Sequence, residues 1–438
     1  MKAAIAAGHP LSAEAGSRVL ANGGNAVDAC VAAAFAAFVA EGPLTGPAGG
    51  GFLLAYVDGQ PLLLDCFFAV PSHPLGAMDE IVIDFGDAST QVFHVGEASV
   101  AVPGLVPGLQ EAHRRHGRLP WEELVQPAIE LAGIGIEVSE AQAFLHLILA
   151  AILQRDEGGR RIYGDPARVA TGDLVPTLER IRDRGAAAVV ELLPELAVDL
   201  AGYRVVERNP LRTTFFGHEV LTTPAPSRGG GIVAAALERL GRASSLGERA
   251  AALRDAYATA PPARMAGTTH ISVIDAAGNA AALSSTLGSG SGVFRGGAQL
   301  NNMLGERDVI GHAELEPGDR LASMMTPTLI LEDGRPRLAL GSAGSVRLAG
   351  AIAQVTDAAI RGVPLADAID APRLHVDGTV LHLEGGYQGD SPAGWDDVVR
   401  WAGRNLFFGG VSAVARTADG TFAAAGDPRR GGHGIVVG

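Results

Sequence analysis

Two threonines and a histidine follow a glycine in the stretch "GTTHISVI" (267–274). Apolar and polar residues alternate along this stretch, which is the period of a half-buried β-strand. The segment "DAAGN" (275–279) predicts a turn, and residues 280–286 predict the return strand. A turn symmetric about its central alanine places Thr268 opposite Thr286, close enough for one hydroxyl to bond the other.

A threonine hydroxyl becomes a useful nucleophile only when a base takes its proton. The α-amine of the same residue is an economical base, because its pKa of about 7.7–8 leaves a neutral fraction at pH 7. Thr268 carries such an amine only if the chain is first cut between Gly267 and Thr268. A preceding glycine permits the backbone geometry in which a hydroxyl attacks its own preceding carbonyl. The stretch therefore predicts an amide-cleaving threonine, with an ordinary β-hairpin as the alternative.

The elements that must position this threonine change in character along the chain. Residues 104–200 are mostly helical in pattern, whereas strands and turns dominate after Thr268. Strands are predicted at 268–274, 280–286, 326–332, 336–341, 380–384, 411–416 and 421–426, with helices near 346–361 and 364–370. Before them, a strand and turn over 218–231 are predicted to lead into a helix that runs to about Tyr257. This order favours antiparallel sheet covered by helices over a dinucleotide-binding fold.

The first hundred residues add two helices and a hairpin. Ser12 is predicted to cap a helix running to Leu20, and Asn25 to cap a buried helix over 26–40. The stretch 52–68 reads as a hairpin that turns at Asp58-Gly59.

Composition excludes several classes of function. A net charge of −14 over 438 residues argues against nucleic acid or an anionic membrane as the main partner. Cys30 and Cys66 sit in apolar runs and are expected to be buried free thiols. The apolar run before His9 and Pro10 is short for a signal peptide, so a cytoplasmic location is expected. No spacing of His, Cys and Asp suits a metal, so no metal and no cofactor are expected.

Three further motifs are weaker candidates. "GSGSGVFRGG" (288–297) lacks the GK[ST] ending of a phosphate-binding loop. Ser227 lacks the G-x-S-x-G context of a nucleophilic serine. His270, which the hairpin register places opposite Ser284, is favoured as a strand histidine bonded to a neighbour over a proton shuttle.

Ten motifs in order resemble the γ-glutamyltransferase family of N-terminal-nucleophile hydrolases. They are "HPLSAEAGSRVLANGGNAVDACVAAA" (9–34), "GPAGGGFLLAYVDG" (46–59), "VPGLVPGLQEAHRRHGRLPW" (102–121), "PAPSRGGG" (224–231), "TTHISVIDAAGNAAALSSTLGSGSG" (268–292), "LNNMLGE" (300–306), "MTPTLIL" (325–331), "GSAGS" (341–345), "APRLH" (371–375) and "GDPRRGG" (426–432).

The resemblance implies an α+β fold, a four-layer αββα sandwich, as one domain over 1–438. It implies self-cleavage into a large chain (1–267) and a small chain (268–438). Thr268 matches the family's nucleophile, and Thr286 matches the threonine whose hydroxyl bonds that nucleophile. Gly344 and Ser345, the latter in place of a second glycine, match the backbone pair that forms the oxyanion hole.

The sequence departs from the family at the residues that bind the γ-glutamyl donor, beginning with those that hold its α-carboxylate. An arginine of the large chain normally holds the donor's α-carboxylate, and the aligned residue here is Phe67. The serine pair that shares this task reads Ala-Ser at 322–323, which leaves Ser323. Arg295, Arg347 and Arg228 are the cations that would have to substitute from another direction.

The residues that bind the donor's α-amino group are also partly missing. The family's asparagine, glutamine and acidic residue align here with Gly288, Met303 and Glu306, so only the acid remains. In the family the region around Phe294 and Arg295 helps to wall the substrate site, and these two are expected as contacts.

The resemblance implies a glutathione-like γ-glutamyl amide as substrate, cleaved through an acyl-Thr268 intermediate that water or an amine releases. Because the glutamate site is reduced, an acylase acting on a cephalosporin-type or other dicarboxylic amide is the first alternative. An unprocessed chain that binds without turnover is the second. The implied partners are a small-molecule amide and the two processed chains as a heterodimer, with a dimer of such heterodimers also open.

Overall fold

The computed structural model describes residues 2–84, 90–258, 267–310, 314–388, 391–417 and 419–438. The strands, in chain order, are β1 (Ala3–Ala7), β2 (Gly50–Val57), β3 (Gln60–Cys66), β4 (Asp79–Asp84), β5 (Thr90–Val95), β6 (Ile136–Glu137), β7 (Arg168–Val169), β8 (Val206–Arg208), β9 (Leu211–Phe215), β10 (His218–Thr222), β11 (Gly267–Ile274), β12 (Ala280–Gly288), β13 (Phe294–Arg295), β14 (Ala298–Gln299), β15 (Thr328–Glu332), β16 (Arg335–Ala343), β17 (Leu374–Asp377), β18 (Val380–Leu383), β19 (Asp397–Arg400), β20 (Gly410–Arg416), β21 (Phe422–Gly426) and β22 (His433–Val437).

The helices, in chain order, are α1 (Pro10–Ala21), α2 (Ala26–Ala40), α3 (Leu105–His116), α4 (Trp121–Ile134), α5 (Glu140–Ile148), α6 (Ala150–Leu153), α7 (Glu157–Tyr163), α8 (Val175–Arg184), α9 (Ala197–Gly202), α10 (Gly229–Leu240), α11 (Leu246–Ala256), α12 (Arg307–Ile310), α13 (Leu348–Ile360) and α14 (Leu365–Asp370).

Two antiparallel sheets form the centre of the molecule, as the mixed α+β pattern predicts. The larger sheet has seven strands in the order β22-β1-β11-β12-β2-β3-β8. The other has six strands in the order β21-β20-β16-β15-β10-β9. Strand β11 of the first sheet packs against β16 and β20 of the second. Helix α2 packs against β11 and β12, while α13 packs against β16 and β20.

Helix α2 is buried along its whole length, which follows from its sequence. Apart from Asp28 at its start, "AVDACVAAAFAAFVA" is apolar all round, the composition of a helix with no solvent face. Asn25 caps it as predicted, in a capping box with Asp28. Cys30 in this helix and Cys66 in β3 are both free and buried, as expected.

Two helix predictions were wrong in detail. The cap of α1 is His9, followed by Pro10 at the first helical position, and not Ser12. Ser12 lies one turn inside the helix, where its hydroxyl donates to Glu41. The single helix expected after the turn at 224–231 is two helices, α10 and α11, because Ser245 caps a new helix with its own capping box.

Candidate active site

Thr268 lies at a break in the pairing of β11 with β12. From Thr269 onward the register is the predicted one, with His270 opposite Ser284. On the other side of Thr268 the register shifts, so that Gly267 faces Gly288. The direct pairing predicted for Thr268 and Thr286 is therefore wrong. The bulge takes Thr268 out of the ladder, a device often found beside active sites.

Thr286 acts on the peptide bond that precedes Thr268. Its hydroxyl donates its single hydrogen to the carbonyl oxygen of Gly267. It also accepts the backbone N–H of Gly288, with 2.8 Å between the atoms. In this unbroken chain the Thr286 hydroxyl thus polarises the Gly267 carbonyl.

Thr268 borders two small cavities, which we name by one residue each. The Phe67 cavity, with a volume of about 30 Å³, brings together eight residues that sequence analysis selected for the site. They are Phe67, Thr268, Thr286, Gly288, Met303, Glu306, Ser323 and Ser345. Four apolar side chains complete the lining: Val309, Met324, Met325 and Leu348.

The Phe67 cavity is mostly apolar and has one acidic group. Phe67 is buried and stacks on Phe52, with ring centroids 5.4 Å apart. Glu306 is the one charged side chain in the lining, and among the described residues that form this cavity there is no cation. Oε1 of Glu306 accepts the Ser289 hydroxyl at 2.8 Å and the Ser289 N–H at 3.0 Å.

Gly288 is held in place by a neighbouring asparagine. A Cβ at Gly288 would lie 2.3 Å from Oδ1 of Asn302, and its φ of +69° also favours glycine. Asn302 Oδ1 accepts the N–H groups of Ser289 and Gly290 at 2.7 and 3.1 Å. Asn302 thus fixes the backbone that follows Gly288, and sequence analysis did not select it.

Gly344 and Ser345 turn the chain from β16 into α13. Both have positive φ, +128° and +56° respectively. A left-handed conformation costs a non-glycine residue about 1–2 kcal/mol, and such strain clusters at functional sites. Ser345 also lines the Phe67 cavity, as Thr268 does.

The structure does not bring the predicted arginine, Arg295, to either cavity at Thr268. Its guanidinium pairs with Glu195 at 2.7 Å and with Glu97 at 2.9 Å. It therefore serves as a cross-link between surface segments, and the substrate-contact prediction is not supported by its position. Phe294 packs near Tyr163, with ring centroids 6.0 Å apart, and is likewise outside both linings.

The other two arginines considered as substitutes line neither cavity at Thr268. Arg347 is buried with its guanidinium 4.5 Å from the ring centroid of Phe407. Arg228 contributes its backbone N–H to the carbonyl of Ser323 at 2.8 Å. Ser323 uses its hydroxyl to accept the N–H of Met325 at 3.0 Å, so it shapes the cavity wall.

The Glu41 cavity, with a volume of about 20 Å³, lies on another side of Thr268 and is also lined by Thr269, Asp427 and Arg430. Glu41 accepts the Thr269 hydroxyl at 2.5 Å. Burial raises the pKa of Glu41 to about 7, although its bonds from Thr269 and Ser12 lower it. Sequence analysis missed Glu41. The sequence feature that could have indicated it is a single carboxylate directly after an apolar helix.

His270 is a satisfied core histidine, as the sequence favoured. Its Nδ1 bonds the Ser284 hydroxyl at 2.8 Å and its Nε2 bonds the Ser272 hydroxyl at 2.9 Å. Burial lowers its pKa to about 3, so the ring is neutral at physiological pH.

Among the described residues, no cluster of three or more His, Cys, Asp or Glu side chains could hold a metal ion. Within the same residues, no helix has the length and apolar character needed to cross a bilayer.

The chain is similar to known proteins of one family. The family model described as Gamma-glutamyltranspeptidase matches residues 12–258 and 241–437. A glutathione hydrolase proenzyme of Pseudomonas aeruginosa is 30% identical over 85% of this chain and 82% of its own. An Acylase ACY 1 proenzyme of Pseudomonas sp. (strain SE83) is 28% identical over 99% of this chain and 93% of its own.

A solved structure described as a cephalosporin acylase from Bacillus halodurans has the same fold. It matches with a TM-score of 0.82 at 19% identity, over 99% of this chain and 95% of that one.

Proposed function

This chain belongs to the gamma-glutamyltranspeptidase family, whose members are amidases with an N-terminal nucleophile, and we propose that it is a self-processing threonine amidohydrolase or acyltransferase. The observation that carries the proposal is the position of Thr268. It stands in a bulge between two cavities, and the Thr286 hydroxyl is bonded to the carbonyl that Thr268 would attack.

Self-cleavage comes first in this proposal. The Thr268 hydroxyl attacks the Gly267 carbonyl carbon while Thr286 holds the carbonyl oxygen. The peptide C–N bond breaks, and water releases the resulting ester to give chains 1–267 and 268–438. The two remain one folded heterodimer, and the sheets with their flanking helices form the four-layer αββα arrangement of a single domain.

Turnover then uses the new α-amine of Thr268 as its base. The Thr268 oxygen attacks the substrate amide, and the backbone N–H groups of Gly344 and Ser345 receive the developing oxyanion. Backbone donors of this kind typically contribute about 3–4 kcal/mol of transition-state stabilisation. The amine passes the proton to the leaving group, and water or an acceptor amine releases the acyl group.

A glutathione-like γ-glutamyl amide remains the proposed substrate, with Glu306 to receive its α-amino group. Glu306 lies in the Phe67 cavity and directs its carboxylate to Ser289 at the cavity edge. A charged hydrogen bond of this kind is worth about 1.5–3 kcal/mol.

Acylase activity on a different acyl amide is the second candidate, and the lining of the Phe67 cavity favours it. The described lining residues supply no cation for an α-carboxylate, and Phe67 stands where the family has its arginine. A buried carboxylate facing Phe67 without a partner would oppose γ-glutamyl binding. The same argument disfavours a dicarboxylic acyl group bound in that orientation.

Intact-mass spectrometry tests the central proposal. Purified protein should resolve into fragments 1–267 and 268–438, and Thr268→Ala should give one full-length mass and no turnover of any amide. A Thr269→Ser chain, which keeps a hydroxyl at the neighbouring position, is the matched control and should still be cut. A wild-type chain that stays intact but binds the amide would instead support the unprocessed binding protein.

Nitroanilides of γ-glutamate, glutarate and butyrate separate the two substrate candidates. If Glu306 receives the α-amine, the γ-glutamyl compound is the fastest, and Glu306→Gln lowers its kcat/KM by about 10–150-fold without changing the butyryl rate. Equal or faster turnover of the butyryl or glutaryl compound would assign the chain to the acylases.

A further inference from the structure

Glu41 is a buried carboxyl group that the proposed mechanism does not use. It follows the last residue of α2 and is 6% exposed. Oε1 accepts the Ser12 hydroxyl at 3.1 Å, and Oε2 accepts the Thr269 hydroxyl at 2.5 Å. Hydroxyls hold both carboxyl oxygens, and one of those hydroxyls belongs to the residue directly after the proposed nucleophile.

The surroundings of Glu41 leave room for a single water next to Thr268. Glu41 and Thr268 line the same cavity of about 20 Å³, and one ordered water needs about 10–15 Å³. Gly8, which directly follows β1, closes that cavity, because a Cβ there would lie 2.3 Å from Glu41 Oε2 and 2.5 Å from Thr269 Oγ1. Any larger residue at position 8 would displace the Glu41–Thr269 pair.

Several other titratable groups lie around Glu41. Those that line the cavities bordering it are His9, His146, His270, Asp427, Arg429 and Arg430. Burial lowers the pKa of all three histidines, that of His146 to about 4 and that of His270 to about 3.

The charged groups of the C-terminal segment are fixed in their ionised forms. Burial raises the pKa of Asp427, but Arg373 and Arg429 outweigh this and lower it. Burial opposes the charge of Arg429, yet hydrogen bonds to Glu384 raise its pKa. Burial lowers the pKa of Arg430 to about 10, which still leaves it charged at neutral pH.

We propose that Glu41 is a positioning residue for self-cleavage that accepts the proton of the Thr268 hydroxyl through one water in their shared cavity, while it fixes Thr269. This role rests on the self-cleavage proposed above. Self-cleavage needs a base other than the α-amine of Thr268, because that amine does not exist until the Gly267–Thr268 bond is cut.

The proton balance of the step closes within the site. The Glu41 carboxylate takes the proton as the Thr268 oxygen bonds to the Gly267 carbonyl carbon. When the C–N bond breaks, Glu41 returns the proton to the nitrogen of Thr268, which becomes the free amine. Water then hydrolyses the ester, and Glu41 finishes as the carboxylate it was at the start.

The pH dependence of self-cleavage tests this role. Chains refolded from denaturant at about pH 5 are moved to buffers up to about pH 9, and the cut fraction is followed by intact mass. The wild-type rate should rise about tenfold per pH unit below pH 7 and then level off, as the carboxylate forms. Glu41→Gln should be at least about 100-fold slower, without that rise.

Ser12→Ala supplies a second variant that leaves the peptide bond and the carboxyl group in place. It removes a hydrogen bond that lowers the pKa of Glu41, so the rise should move to higher pH and reach the same plateau. Glu14→Gln removes an exposed carboxylate from the same helix as Ser12 and should follow the wild type. A merely structural role for Glu41 would not shift the profile in Ser12→Ala.

The outcomes separate this inference from the proposed function. A Glu41→Gln chain that is cut with the wild-type profile overturns the role of Glu41 and leaves self-cleavage standing. A Ser12→Ala profile that does not move overturns it even if Glu41→Gln fails to fold. A wild-type chain that remains whole at every pH overturns self-cleavage itself.

Discussion

At the scale of single residues, the site concentrates groups that are costly to bury. Glu41 is a carboxyl group without a cationic partner among its hydrogen bonds, Ser345 has a left-handed backbone, and the Thr286 hydroxyl is aimed at a peptide carbonyl. The buried carboxyl group and the left-handed backbone each lower the stability of the fold, and the Thr286 hydrogen bond fixes the peptide bond in front of Thr268. The reaction proposed at Thr268 explains why these features lie around that residue.

The free-energy cost of burying the Glu41 carboxylate can be measured from the pH dependence of the free energy of unfolding. Its pKa is raised from 4.5 to about 7 in the folded chain, so the folded state holds the proton more tightly than the unfolded state. Its contribution is therefore full below about pH 4.5 and is lost as the pH rises through 7. The loss amounts to about 3 kcal/mol, from 1.36 kcal/mol per pKa unit.

In a Thr268→Ala chain, which stays uncut, adding Glu41→Gln should therefore raise the free energy of unfolding at about pH 8 relative to about pH 5. Urea unfolding at the two pH values measures the difference, with Glu14→Gln as the control. An equal effect of Glu41→Gln at both pH values would contradict the raised pKa.

At the scale of elements, the hairpin β11–β12 is anchored to helix α2 through its turn. The Asp275 carboxylate accepts the N–H groups of Ala277 and Asn279 at 2.9 Å and the Asn279 side-chain amide at 2.9 Å. It also accepts the N–H of Ala26, the first residue of α2, at 3.1 Å. One buried side chain thus fixes both the turn that sets the register of Thr268 and the start of the helix that ends at Glu41.

Asp275→Ala should lower the free energy of unfolding by about 3 kcal/mol, since it leaves several buried N–H groups without an acceptor. Asp275→Asn keeps one acceptor oxygen and should lose less. Urea denaturation in the Thr268→Ala background measures both. A loss below about 0.5 kcal/mol for the alanine variant, which is typical of an unimportant surface site, would show that the turn holds without this carboxylate.

Elements with a clear local pattern were predictable from the sequence, and those decided by tertiary contacts were not. Alternation and turn chemistry predicted both hairpins, and the register of His270 opposite Ser284 was correct. Strand β1 is "AAIAA", which has no alternation and little intrinsic strand preference, and it forms because β11 and β22 flank it.

The site shows the same division between local and tertiary information. Eight residues that were selected from the family motifs line one cavity, because each occupies a position defined by the fold. The motifs gave no indication of the ion pairs of Arg295 with Glu97 and Glu195, because both partners lie far from it in sequence. The bulge at Thr268 was also not predictable, because the alternation of side chains is the same whether or not the strand register shifts there.

At the scale of the whole molecule, the proposed cut divides the chain but not the sheets. Residues 1–267 supply β1, β2, β3 and β8 to the larger sheet, while residues 268–438 supply β12, β22 and nearly all of β11. Strand β1 lies between β22 and β11, and β12 lies between β11 and β2, so strands from the two parts are interleaved. In the smaller sheet, β10 from the first part pairs with β15 from the second.

Such interleaving predicts that the cleaved protein remains one particle. Separating the fragments would break the ladders β1–β22, β1–β11, β12–β2 and β10–β15 and expose the apolar faces between them, at a cost close to that of global unfolding. Cleaved protein should therefore elute in size-exclusion chromatography at the volume of the uncut Thr268→Ala chain. The two fragments should separate only in denaturant. Their elution as separate species in native buffer would mean that the strands of each fragment form sheets of their own, which contradicts the interleaved order.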